Sequence, residues 1–160
     1  MAFRKTYTPS QARQKVQHYC AYQERSHAEV RQKLYGYGLW KDDVEALMAE
    51  LITDDYLNEE RFAIAYAGGH FRLKHWGRIK IRYELRQKQV SDYNIKRGLE
   101  SIDEDDYLKL LSSLAKEKWN SFNNSDQTDF IRRVKTQAYL IQKGFEAELV
   151  QFTIRTLSLE

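Results

Sequence analysis

Apolar residues recur along this chain of 160 residues at helical rather than strand spacing. Val30 and Leu34 stand four apart; Val44, Leu47, Met48 and Leu51 follow at i, i+3, i+4 and i+7; Ile81 and Leu85, then Ile95, Leu99 and Ile102, repeat the rhythm. A period of about 3.6 residues gathers such positions on one side of a helix, and no stretch alternates long enough to predict a strand. Capping residues punctuate the pattern. Thr8-Pro9-Ser10-Gln11 offers an N-cap threonine, a proline at the first helical position and a glutamine that closes a capping box, predicting a helix from there to about Glu24. Ser26-His27-Ala28-Glu29 opens a second helix, Gly36 and Gly38 stop it, and Asp42-Asp43 place negative charge at the start of a third.

The pattern then repeats. Shifted by 51 residues, Leu34 falls on Leu85, Leu39 on Val90, Val44 on Ile95, Leu51 on Ile102, and Asp54-Asp55-Tyr56-Leu57 on Asp105-Asp106-Tyr107-Leu108; a further shift of 55 reaches Leu140, Phe145, Val150 and Leu157. The chain therefore reads as three copies of one unit, over 1–53, 54–104 and 105–160, each of three helices. The second copy begins at Asn58-Glu59-Glu60-Arg61-Phe62 and breaks near Lys74-His75-Trp76-Gly77; the third runs from Asp106 to about Phe122, turns at Asn123-Asn124-Ser125-Asp126 and resumes at Asp129 and Phe145. The predicted fold is all-α, three tandem three-helix repeats in an elongated, curved array. One position breaks the symmetry. Gly38 and Gly144 precede Leu39 and Phe145 where a left-handed helix end favours glycine, but the middle copy has Gln89. Either Gln89 bears a cost of roughly 1 kcal/mol relative to glycine, or its turn differs.

Composition narrows the function. Seven glycines and one proline are too few for an all-β domain rich in tight turns. The single cysteine, Cys20, excludes an internal disulfide framework and fits a reducing compartment; among Val16, Tyr19 and Tyr22 it reads as a small buried hydrophobe. No apolar run approaches the ~20 residues that span a bilayer, and the basic N-terminus lacks an apolar signal core, so the chain is expected in the cytoplasm. Phosphate-loop, nucleophile-elbow and zinc-helix motifs are absent. His18, His27, His70 and His75 share no ligand spacing, so neither metal nor cofactor is expected. Asp54-Asp55 and Asp105-Asp106 recur just before a helix in their repeats, which predicts caps and dipole complements rather than a cation site.

A net charge of +3 conceals strong banding. Residues 42–63 carry eight acids and one base, whereas residues 69–98 carry nine bases and two acids. Within that basic band Arg78, Arg82 and Arg86 recur every four residues beside the face bearing Ile81 and Leu85, while Lys74, His75 and Lys80 crowd the helix entrance. Such a ridge suits phosphates or an acidic protein groove. Glu84 and Asp92 are too few to neutralise it. Trp76, and with it Tyr35, Tyr37 and Trp40, is expected to pack at helix junctions.

Two strings carry a family likeness: Tyr56-Leu57-Asn58-Glu59-Glu60-Arg61-Phe62-Ala63, and Lys74-His75-Trp76-Gly77-Arg78-Ile79-Lys80-Ile81-Arg82-Tyr83-Glu84-Leu85-Arg86-Gln87-Lys88-Gln89-Val90. Together they resemble the central signature of the RecX family, and the run from Arg25 to Leu34 resembles its first repeat. The likeness is strong from Arg25 to Ile95 and weaker in the third repeat; Gln89 departs from the family's usual glycine. The resemblance implies a non-enzymatic modulator of the RecA recombinase that binds the RecA filament on DNA and inhibits its recombinase, ATPase and co-protease activities in DNA repair and the SOS response. It implies RecA as partner and single- or double-stranded DNA as a further one; the chain is expected to be a monomer. The alternative is a stand-alone helix-turn-helix-like nucleic-acid-binding protein. Candidate contacts are Arg25, Arg31 and Lys33 in the first repeat, and Arg72, Lys74, His75, Arg78, Lys80, Arg82, Arg86 and Lys88 in the second.

Overall fold

A computed structural model of the chain describes residues 6–123 and 126–159. Among the described residues every regular element is a helix: α1 Pro9–Tyr22, α2 His27–Gly36, α3 Lys41–Thr53, α4 Glu59–Lys74, α5 Arg78–Gln87, α6 Asp92–Glu100, α7 Glu104–Asn120, α8 Asp129–Gln142 and α9 Ala147–Leu157. The start signals act as their chemistry requires. Thr8 accepts from the Gln11 amide while the Gln11 side chain accepts from the Thr8 amide, closing the capping box; Ser26 accepts from the Glu29 amide, and Thr128 caps α8 through the Ile131 amide.

Positions matched across the repeats occupy one structural role. Leu34, Leu85 and Leu140 are fully buried; so are Val44 and Val150, with Ile95 nearly so; and Leu51, Ile102 and Leu157 close the same face one turn or two further on. Cys20 joins the core of the first repeat beside Val16, Val30, Leu34 and Leu47. Burial pushes its thiol up to about 11, leaving almost no thiolate at neutral pH. The turns repeat as well. Gly38 and Gly144 have φ of +87° and +99°, and Gln89, at +62°, adopts the same left-handed conformation. The middle turn therefore does not differ, and Gln89 carries the strain.

Two expectations are corrected. Asp54-Asp55 does not start a helix: Asp54 is the C-cap of α3, and Asp55, with φ of +63°, turns back to pair with Arg61. Only the second pair lies in a first turn, that of α7, where Asp103 is the N-cap and accepts from the Asp106 amide. Trp40 does not pack at a junction; it is 83% exposed. The turn expected at 123–126 lies partly outside the described residues, as does the N-terminal Met1–Lys5.

The chain forms two compact units that cut across the repeats: residues 1–65 with 85–98, and residues 66–84 with 99–160. In the first, α1, α2 and α3 pack on one another, and Gly98 of α6 lies so close to Ala63 of α4 that a Cβ there would sit 2.7 Å from the Ala63 carbonyl oxygen. Glu59 caps α6 from outside, accepting from the Ser91 amide and the Asn94 side chain. In the second, α7, α8 and α9 pack mutually, and the fully buried Tyr107 ring lies 5.9 Å from Phe71 and 5.3 Å from Phe145.

Candidate partner-binding surface

The segment from Lys74 to Arg82 splits into an internal joint and an outward face. Trp76 packs where a junction residue should, its ring 4.6 Å from His70 and capped by the Lys80 ammonium at 4.7 Å. Gly77 meets the turn that follows α8: its amide donates to the Lys143 carbonyl and the Ile79 amide to that of Gly144. A Cβ on Gly77 would stand 2.4 Å from the Gly144 carbonyl, so any other residue would push the two segments apart.

Arg78 completes the joint and is withdrawn from the predicted ridge. Its guanidinium pairs with Glu104 and, at 2.8 Å, with Glu146, and lies 3.7 Å from the centre of the Tyr107 ring. The Arg78 amide donates to the Tyr107 hydroxyl, which donates in turn to Glu146. Burial, then the bond to Glu146, push the Tyr107 phenol well above its usual range, so it stays a donor. With 18% of its side chain exposed, Arg78 has its charge spent internally. The physical reason is helical phase plus partners 26 and 68 residues downstream, which spacing inside α5 does not reveal.

What remains outward is different from a purely cationic ridge. At the end of α4, Arg72, Lys74 and His75 are exposed, and Leu73 between them is 81% exposed. His75 ends the helix with φ of +58°. On α5, Arg82 is partly exposed, and Ile79 and Tyr83, three and one residues before and after it, are 46% and 59% exposed. Among the described residues Arg72, Lys74 and Arg82 form no ion pair. Leu73, Ile79 and Tyr83 escaped the sequence reading because an apolar residue in a helix is ordinarily assigned to the core; their signal was that Ile79 and Tyr83 lie off the Ile81–Leu85 face of α5, and Leu73 off the Ala67–Phe71 face of α4.

The candidates in the other unit are more committed. Arg25 donates to the Tyr19 carbonyl and stacks 3.7 Å from the Tyr19 ring centre; Lys33 approaches that ring at 5.1 Å and borders an open cleft of about 290 Å³. Arg31 is paired with Glu45, and Lys88 with Glu29 at 2.9 Å. Arg86 has only a loose partner, Asp92 at 3.5 Å, and both are largely exposed, where such a pair is worth little. No group of three or more His, Cys, Asp or Glu side chains suited to hold a metal occurs among the described residues, and none of their helices is long and apolar enough to cross a membrane.

Tandem three-helix units, with a joint closed by internal ion pairs and an outward face of unpaired cations among exposed apolar side chains, define a helical-repeat protein. Comparison with known proteins specifies which. Models of the RecX first, second and third three-helix domains match residues 12–51, 58–99 and 104–154. Among relatives, the regulatory protein RecX of Prosthecochloris aestuarii is 30% identical over 87% of this chain and 88% of its own length. That of Vibrio vulnificus is 29% identical over 79% of each. The crystal structure of RecX from Lactobacillus salivarius superposes with a TM-score of 0.85 over 95% of this chain and 97% of that one, at 22% identity. The chain belongs to the RecX family of regulatory proteins.

Proposed function

We propose that this protein binds the RecA filament on DNA and lowers its recombinase, ATPase and co-protease activities without catalysing a reaction itself. The observation that carries the reading is the outward face of the second repeat, where the unpaired Arg72, Lys74 and Arg82 are interleaved with the exposed Leu73, Ile79 and Tyr83. Cations alone would serve non-specific contact with phosphates; cations among large apolar side chains match the composition of a protein interface, in which apolar anchors supply affinity and charge supplies orientation. Arg78, engaged by Glu104 and Glu146, supports this face and does not contact the partner.

The test is RecA ATPase on single-stranded DNA with increasing amounts of this protein. The wild-type chain is expected to inhibit, and reversal of charge in a triple variant, R72E, K74E and R82E, to raise the half-inhibitory concentration at least tenfold with helicity unchanged. A triple variant that inhibits like the wild type refutes the assignment. Tight, steeply salt-dependent binding to naked DNA with no preference for the filament would mark a nucleic-acid-binding protein instead.

A further inference from the structure

The three repeats offer an internal comparison at the residue just before each third helix. Ser91 holds this place before α6 and caps it, its hydroxyl accepting from the Asn94 amide. Glu146 holds it before α9 and is consumed by Arg78 and Tyr107. Trp40 holds it before α3, makes no side-chain cap bond, and leaves 83% of its surface in water. The backbone there is ordinary N-cap geometry, φ −83° and ψ 162°, to which a serine is better suited. Trp40 thus gives up a cap and exposes a large indole, with no return among the described residues. Tryptophan, with tyrosine and arginine, is enriched among binding hot spots.

Its neighbours say what it meets. Asp42 and Asp43, in the first turn of α3, are exposed and form no ion pair among the described residues, and they already occupy the positive end of the helix dipole. With the exposed Lys41 as the one cation beside them, the two acids leave this helix start net acidic, which disfavours phosphates. We propose that Trp40 is an anchor for a protein pocket with a basic rim: given the function proposed above, on which this rests, the first repeat grips a RecA protomer and not the DNA.

The measurement pairs folding stability with inhibition in the single variant Trp40→Ser, which installs the residue of the second repeat. Because serine restores the cap, the melting temperature is expected to rise by about 2–4 °C. Loss of a hot-spot tryptophan is expected to raise the half-inhibitory concentration in the RecA ATPase assay at least ~30-fold, while affinity for naked single-stranded DNA is unchanged. Trp40→Phe, which keeps an aromatic anchor, should retain most of the inhibition and covers the case of a poorly folding serine variant. Inhibition by Trp40→Ser equal to wild type overturns the proposal; so does a parallel loss of DNA affinity, which would place the indole on bases. The double variant D42K and D43K should weaken inhibition, and stronger inhibition would mean that phosphates face this site. A wild-type chain without effect on the ATPase removes the proposed function and this docking site together, whereas an inhibitory wild type matched by Trp40→Ser removes only the latter.

Discussion

Gln89→Gly should stabilise the protein, and the repeats allow its size to be worked out. Gln89 closes α5 with φ of +62°, its amide donating to the Arg86 carbonyl at 2.9 Å and the Val90 amide to that of Leu85 at 3.1 Å. The turn before Phe145 is built alike: Gly144 donates to Ile141 at 2.9 Å and Phe145 to Leu140 at 3.2 Å. A side chain in the left-handed region costs about 1–2 kcal/mol, of which the greater freedom of glycine in the unfolded chain takes back about 0.4–1 kcal/mol. The net gain is then about 0.5–1 kcal/mol, or roughly 2–3 °C for a chain of this size. Gln89 is exposed, so removing its side chain forfeits little packing. The reverse change, Gly144→Gln, should go the other way and further, because a Cβ there would stand 2.3 Å from that of Lys80 in addition to the backbone strain; about 3 kcal/mol is expected. Urea midpoints of both variants against wild type, at unchanged m-value, measure the asymmetry. An unchanged or lowered midpoint for Gln89→Gly would refute the argument that the middle repeat tolerates strain where its siblings use glycine.

Arg78→Ala should destabilise by about 2–4 kcal/mol, since it leaves Glu146 partly buried without its counter-ion, whereas Arg72→Ala should fall within about 0.5 kcal/mol of wild type; similar midpoints for the two would show that Arg78 is not a structural residue. His27 supplies a pH dependence. Burial holds its imidazole below the usual 6.5, with Glu59 pulling upward and Arg31 downward, and its Nε2 is buried without a hydrogen-bond partner. The unfolded chain therefore takes up this proton first, so stability present above pH 6.5 is lost as the pH falls below that value through the folded one. His27→Gln should flatten that decline between pH 7.5 and 5.5, and a decline as steep as that of wild type would exclude His27 as its source.

The fold was legible because its determinants are local or periodic. Thr8 with Gln11, and Ser26 with Glu29, are side-chain and amide pairs within one turn, and the 51- and 55-residue shifts align positions that are all buried. The site was legible only in part, because whether a cation faces outward depends on residues far along the chain. Arg78, Arg82 and Arg86 are alike in spacing, yet Glu146, 68 residues away, removes the first. Arg31 and Lys88 are likewise claimed by Glu45 and Glu29, 14 and 59 residues distant. Asp54-Asp55 was misplaced for a related reason: a pair of acids marks a helix start only when no preceding helix extends into it, and α3 runs to Thr53.

A repeat protein makes such misreadings informative, since each slot has been filled three times under the same backbone demands. Where all three fillings agree, as at Leu34, Leu85 and Leu140, packing explains the residue and no function need be invoked. Where one departs and the departure is met inside the chain, as Glu146 is by Arg78 and Tyr107, the residue belongs to the joint that holds Gly77 against the turn at Gly144. Departures with no internal answer are of two kinds. Gln89 is a strained residue with an exposed, unremarkable side chain, and glycine there should only help the fold. Trp40 is an unstrained residue with an exposed indole, and on the proposal above serine there should help the fold while harming binding. Inhibition lost with Trp40→Ser and unchanged with Gln89→Gly, while stability rises in both, is what separates tolerated strain from a surface kept for a partner.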